Sequence, residues 1–221
     1  MRRRAPSASD SPGRAGEVHS AGVLWLVGLA LLTIVGAGFG VMWRYESAPG
    51  PAASVPPRWP AKAPFQLAQD RPTLILFAHP HCPCTRATIG ELDHIVARCR
   101  DRLHTVVYFL ADPRRGDAWT RTDLWTSVAR IPGVEIRTDP DAAIAASFGV
   151  WTSGHALLYA PDGRLLFDGG ITDARGHAGD NVGEESIGSW VLDGASKCAS
   201  TPVYGCLLRS NSPDDDDGDS P

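Results

Sequence analysis

Several kinds of chemistry leave no trace in this chain. It has no phosphate-binding glycine loop of the expected pattern and no Ser-His-Asp nucleophile elbow, which argues against a nucleotide-binding loop and a serine hydrolase. No basic patch lies outside the N-terminus, so nothing suggests nucleic acid as a partner. No internal repeat is visible. A structural zinc site needs a second cysteine pair at regular distance, and none is present. Residues 21–43 contain no charged side chain at all. The formal net charge is only −4, part of it from the run Asp214-Asp215-Asp216-Asp217.

The uncharged stretch has the length and apolarity of one membrane-spanning helix. Trp25 and Trp43 stand near its ends, as interfacial aromatics do, and Arg2, Arg3, Arg4 and Arg14 precede it. The positive-inside bias puts residues 1–20 in the cytoplasm and the remainder outside the cytoplasmic membrane, in a periplasmic or otherwise extracytoplasmic space. A cleaved signal peptide is the rival reading, but it calls for a shorter apolar core and small residues at the cut, which Trp43-Arg44-Tyr45-Glu46 does not offer. Residues 44–70 are rich in Pro and Ala and read as a passive, extended spacer at ~3.1 Å per residue. The globular part is expected over 71–208, and 209–221 as an acidic disordered tail.

Within the globular part, Thr73–Ala78 is a continuous apolar run and reads as a buried strand. Ile89, Leu92, Ile95, Val96 and Cys99 form the stripe of a helix from Pro83 to about Arg100. A second buried strand covers Leu103–Leu110, and a helix is expected over Asp117–Arg130. Val134–Ile136 suggests a short strand, and Asp141–Phe148 a short helix stopped by Gly149. His155–Tyr159 and Leu165–Phe167 form a hairpin around Asp162-Gly163. A last helix runs from about Gly183 to Lys197. Strand-helix-strand followed by a hairpin implies an α/β protein with a mixed central sheet and helices on both faces.

The chemistry concentrates at one junction. His79-Pro80-His81-Cys82-Pro83-Cys84-Thr85 joins the first strand to the helix. A thiol at a helix N-terminus is stabilised as thiolate. With Cys82 as N-cap, Pro83 takes the first helical position, where its missing N–H is not needed. Residues two apart in a helix diverge, so a Cys82–Cys84 bond forms only because Cys82 lies outside the helix proper, and it would be strained. Cys82 is expected to be the nucleophile, at the exposed helix end, with Cys84 resolving. His81 or His79 would supply a cationic neighbour to the thiolate.

This order, with Leu76-Phe77-Ala78-His79-Pro80-His81-Cys82-Pro83-Cys84 opening the first helix, resembles the thioredoxin-like superfamily. Phe148-Gly149-Val150, Ala156–Tyr159 and Asp162-Gly163-Arg164 resemble its second half. A closer resemblance is to membrane-tethered RedB-like proteins. It rests on the Cys-Pro-Cys loop, Gly169-Gly170-Ile171-Thr172 with Arg175-Gly176-His177, and Thr201-Pro202-Val203-Tyr204-Gly205-Cys206. The resemblance implies a three-layer fold and thiol–disulfide exchange with protein thiols outside the membrane, without a cofactor. Two departures stand out: Thr85 occupies the place of the family's resolving cysteine, and Gly154 that of its cis-proline.

A metal reading uses the same residues. Cys82, Cys84, His79 and His81 offer ligands within six residues, thiolates favouring Cu(I) or Zn(II), and the resemblance to thioredoxin-like copper-delivery proteins implies Cys82 and Cys84 with a distant histidine, for which His177 could serve. A domain that keeps the fold without redox activity, as an interaction module, is the third reading. Cys99 falls on the helix's apolar stripe and reads as an inert core thiol. The chain has five cysteines, so at least one stays unpaired. Cys198 and Cys206 are expected to close a short structural loop, the alternative being that Cys206 resolves the bond on Cys82.

Overall fold

The computed structural model describes residues 15–61, 63 and 65–209. The arginines before the apolar helix and the acidic run at 214–217 lie outside the described residues. Helix α1 (Ala15–Glu46) contains a segment, Gly22–Glu46, that is long and apolar enough to cross a membrane, with mean hydropathy 2.2. Its described apolar side chains, Leu24, Trp25 and Ile34 among them, are exposed. The rest of the chain, from Glu46, is a separate compact unit.

That unit is built on a five-stranded sheet. Strand β1 (Thr73–Ala78) leads into α2 (Pro83–Cys99) and then β2 (His104–Ala111). Two short helices, α3 (Asp117–Thr120) and α4 (Asp123–Val128), precede β3 (Val134–Pro140). Helix α5 (Ala143–Ser147), the hairpin β4 (His155–Tyr159) and β5 (Leu165–Gly170), and α6 (Val182–Asp193) complete it. The strand order is β3-β2-β1-β4-β5. β1 runs parallel to β2, with Thr73 opposite His104, and antiparallel to β4, with Thr73 opposite Tyr159. β3 extends the parallel half and β5 the antiparallel half. This is the thioredoxin-like arrangement.

β1 is buried at every position because it is central and covered on both faces. Its side chains alternate between two cores. Leu74, Leu76 and Ala78 face Ile89, Leu92 and Ile95 of α2, Leu124 and Val128 of α4, and Ile187 and Val191 of α6. Ile75 and Phe77 face Val106, Tyr108, Phe148, Leu157 and Tyr159.

This second core corrects the spacer expectation. The 44–70 stretch is not a passive linker: Val55, Trp59, Phe65 and Leu67 pack on the sheet face that α5 alone is too short to cover. Trp59 meets Phe65, Phe148 and Tyr159 edge-on, at centroid distances of 4.9, 5.4 and 5.2 Å. Its amide donates to Gly163 O (2.8 Å), Leu165 N donates to Pro57 O (3.0 Å), and the Tyr159 hydroxyl donates to Pro56 O (3.0 Å). The proline-rich composition signals extended backbone correctly; the apolar residues interleaved with it decide that the backbone is docked. Trp59→Ala should therefore destabilise the domain by about 2 kcal/mol or more, below the full core value because Trp59 is half-buried, and urea denaturation would measure it. An unchanged midpoint would restore the spacer.

Other boundaries moved for local reasons. The helix expected over Asp117–Arg130 is broken into α3 and α4 at Arg121-Thr122, where Thr122 turns extended and its hydroxyl donates to Pro80 O (3.0 Å). β3 is longer than expected because β2 offers it seven consecutive partners. The last helix stops early, at Asp193, where Gly194 adopts a left-handed φ of 74°.

A candidate thiol–disulfide site

Cys82 is the N-cap of α2, extended at φ −80° and ψ 118°, and Pro83 takes the first helical position. Its carbonyl accepts from Thr85 N (3.1 Å), and its amide donates to His79 O (3.2 Å). The junction is thus a tight turn that ends β1 and points the Cys82 thiol inward. Contrary to the expectation of an exposed nucleophile, Cys82 is only 1% exposed.

What covers it is the C-terminal segment. Cys206 N lies 3.4 Å from Cys82 Sγ and donates to it. The loop-closing pair expected of Cys198 and Cys206 is not the arrangement found. All five cysteines are free thiols, and the Cys198 thiol donates to Ser200 O (3.1 Å). Isolated bridges fix the segment on either side of Cys206, Ser200 to Asp168 and Leu207 to Thr152, and the Cys206 amide meets Cys82.

The electrostatics follow from that seat. The Cys82 thiol is held down at about 4, chiefly because the Cys206 thiol hydrogen-bonds to its charged form. The Cys206 amide and the hydroxyl and amide of Thr85 add to this, and burial opposes it. Cys206 is pushed well above the ordinary thiol value, because its proton is engaged by the Cys82 thiolate and because it is buried. Cys84 is pushed up by burial first, then by the Cys82 charge and a hydrogen bond with that thiol, while Arg175 pulls it down. Of these three neighbouring thiols, Cys82 is the one whose charged form the seat favours.

The histidines have other tasks. His81 Nε2 lies 2.9 Å from Trp119 O, and its ring stacks against that indole at 4.9 Å. His79 Nδ1 accepts from His81 N (3.1 Å). The leading influences on Cys82 come from a thiol and a threonine rather than from a cation. Thr85 is buried, and its hydroxyl meets Ser153 Oγ at 2.9 Å. Ser153 in turn accepts from His79 N (2.8 Å), tying the loop before β4 to the cysteine turn. Gly154, just before β4, has φ 87°, and its amide donates to Phe77 O (2.8 Å). A Cβ there would approach Thr88 Oγ1 to 3.1 Å, and the positive φ already favours glycine.

The polar glycine-rich loop after β5 contributes Arg175, not His177. Arg175 Nη1 donates to Gly205 O (2.7 Å), and its guanidinium also hydrogen-bonds to Cys84. His177 is exposed, with its amide donating to Ala174 O (3.3 Å). The loop is anchored by buried Glu91 of α2, which accepts from Gly179 N (2.7 Å) and Asn181 Nδ2 (3.4 Å). Asn181 caps α6 through Glu184 N (2.8 Å). Cys82, Cys84 and His177 do not converge: among the described residues the group with metal-ligand spacing is Glu91, His94 and Glu184. Sequence reasoning gave Glu91 no role and noted Arg175 only as part of the Arg175-Gly176-His177 stretch. A lone arginine in a glycine-rich loop and a glutamate on an apolar helix face were the available signals. As expected, Cys99 lies in the core, its thiol pushed up by burial.

No protein-family model and no curated protein sequence matches the chain. Solved structures do. An uncharacterized conserved protein from Geobacillus kaustophilus superimposes with TM-score 0.55 at 18% identity, over 76% of this chain and 96% of that one. A hypothetical protein from Sinorhizobium meliloti 1021 gives TM-score 0.50 at 20% identity, over 65% and 82%. A secreted Mycobacterium tuberculosis disulfide oxidoreductase homologous to E. coli DsbE gives 0.41 at 16%, over 57% and 83%. At these identities the likeness is one of fold.

Proposed function

We propose that the chain is a membrane-tethered thiol–disulfide oxidoreductase of RedB-like type, acting outside the cytoplasmic membrane on protein thiols and disulfides with Cys82 as the attacking sulfur. One observation carries the reading: a buried thiol at the N-cap of α2, with the amide of a second cysteine, Cys206, donating to its sulfur at 3.4 Å, a seat that favours the thiolate. A thiolate is the nucleophile in exchange, and a low value also makes it a good leaving group. Stabilising the reduced form in this way makes the disulfide form more oxidising. The second thiol of the couple is Cys84, in the Cys-Pro-Cys motif, or Cys206. Apolar residues 21–43 hold the domain at the bilayer.

The test is a redox titration of the full chain in detergent micelles, with alkylation and mass mapping of every cysteine. Cys82 should interconvert between thiol and disulfide, together with one other protein thiol, at an intermediate potential. A Cys82 that stays reduced throughout, or that is protected only when copper or zinc is added, would end the exchange reading.

A further inference from the structure

The C-terminal segment resembles no ordinary end of a domain. Its root lies against β5: Asp168 N donates to Ala199 O (3.0 Å), and the Thr201 hydroxyl donates to Gly170 O (2.7 Å). A Cβ on Gly169 would stand 2.3 Å from Thr201 Oγ1, and one on Gly170 2.6 Å from Pro202 O, so two glycines make the bed for this root. Beyond Val203 the segment turns onto the loop before β4. There Ser153 N donates to Cys206 O (2.8 Å), and Leu208 N donates to Trp151 O (2.8 Å). Gly205 lies so close to the Ser153 carbonyl that a Cβ would come within 1.9 Å of it. Arg175 clamps the Gly205 carbonyl from the other side. Everything in this seat serves to place the next residue, Cys206, against Cys82.

We propose that residues 203–208 form a latch: closed, it seals Cys82 from solvent and presents Cys206 as the thiol that pairs with it; open, it admits the partner. The proposal rests on the exchange reading and assigns its second thiol to Cys206 rather than Cys84. The Cys84 thiol also hydrogen-bonds to Cys82, but it stands two positions on in the same tight turn, where an S–S bond would have to close over Pro83. Cys206 comes from a separate segment whose backbone already holds it at the Cys82 sulfur.

The steps balance. With the latch open, the Cys82 thiolate attacks a partner's disulfide; that S–S bond breaks, a Cys82–partner disulfide forms, and the partner's other sulfur leaves with the electron pair and takes a proton. The charge on Cys82 is now gone, and with it the main influence that kept the Cys206 proton in place. Cys206 loses that proton to water and attacks the Cys82 sulfur. The Cys82–Cys206 bond forms, and the partner's remaining sulfur leaves and is protonated. The partner's disulfide has gained two electrons, which the two cysteines have lost, and two protons, one matched by the proton Cys206 gave to water and the other drawn from solvent because Cys82 entered as thiolate; a dithiol partner runs the sequence backwards.

Two variants of the full chain in micelles test this. In Gly205→Val the latch cannot seat, although every thiol remains. Iodoacetamide should then alkylate reduced Cys82 at least about tenfold faster than in the parent, the gain expected when local closure no longer protects a buried group. Mass mapping of the oxidised parent should find Cys82 joined to Cys206, with Cys84 alkylated. If Gly205→Val does not fold, Arg175→Met removes the clamp on the same carbonyl and should raise the alkylation rate in the same direction. Equal alkylation rates in parent and variant overturn the latch, as does an oxidised parent joined Cys82–Cys84 with Cys206 alkylated. That last result leaves the exchange reading standing, whereas a Cys82 that joins neither thiol defeats both.

Discussion

Cys82→Ser should abolish exchange, lowering the rate to that of the buffer thiols alone, while Cys99→Ser should leave it within about twofold. A serine hydroxyl supplies no thiolate at any working pH, so both the attacking and the leaving sulfur are lost. Cys99 is buried in the α2 core, among Ile95 and Leu103. Cys84→Ser sits between the two: with Cys206 as partner it keeps most of the activity. The assay is reduction of a protein disulfide by the full chain in micelles under a regenerating dithiol. Activity remaining in Cys82→Ser would move the nucleophile elsewhere.

The second large effect is on pH. Cys82 titrates near 4 in the folded protein and, unfolded, near the free value of 9.0. Its folded value is depressed, so its stabilising contribution is fully present above the unfolded value and is lost as pH falls towards 4. Between those limits the unfolded chain binds one proton more than the folded one. The stability of the reduced parent relative to Cys82→Ser should therefore rise by about 1.4 kcal/mol per pH unit. Urea denaturation in a reducing buffer at several pH values between 5 and 8 reads the slope directly. Parallel curves for parent and variant would mean that no thiolate is held in the fold. Thiolate absorbance in the ultraviolet should persist to pH 5 in the parent and vanish in Cys82→Ser.

The sequence was legible where one local rule decides. The apolar run at Thr73–Ala78 became the central strand without a change of boundary, because six apolar or β-branched residues buried on both faces leave no competing conformation. Pro83 and the stripe Ile89–Cys99 located α2, whose interior is set by helical periodicity. The role of 50–67 was not legible, because docking depends on an uncovered sheet face whose existence follows from the shortness of α5, a tertiary fact. The site divides in the same way. Cys82 is visible through its place at the helix start. Cys206 is 124 positions away in sequence, and only the path of the chain over Gly169 and Gly170 brings it close. The histidines are adjacent to the thiols in sequence, and what only the fold adds is that both rings also meet Trp119, 38 or more positions away.

The layer made by 50–67 has a further thermodynamic consequence. It is held by scattered hydrogen bonds rather than by a ladder, so few of its residues are ordered by repeating backbone contacts. Pro51, Pro56, Pro57 and Pro60 have their φ angles fixed whether the chain is folded or not. The unfolded ensemble is therefore already narrow here, and ordering this stretch forfeits less conformational freedom than ordering an average one. A third layer without regular secondary structure can persist on that basis: the prolines lower its entropic cost, leaving a few aromatic contacts enough to hold it in place.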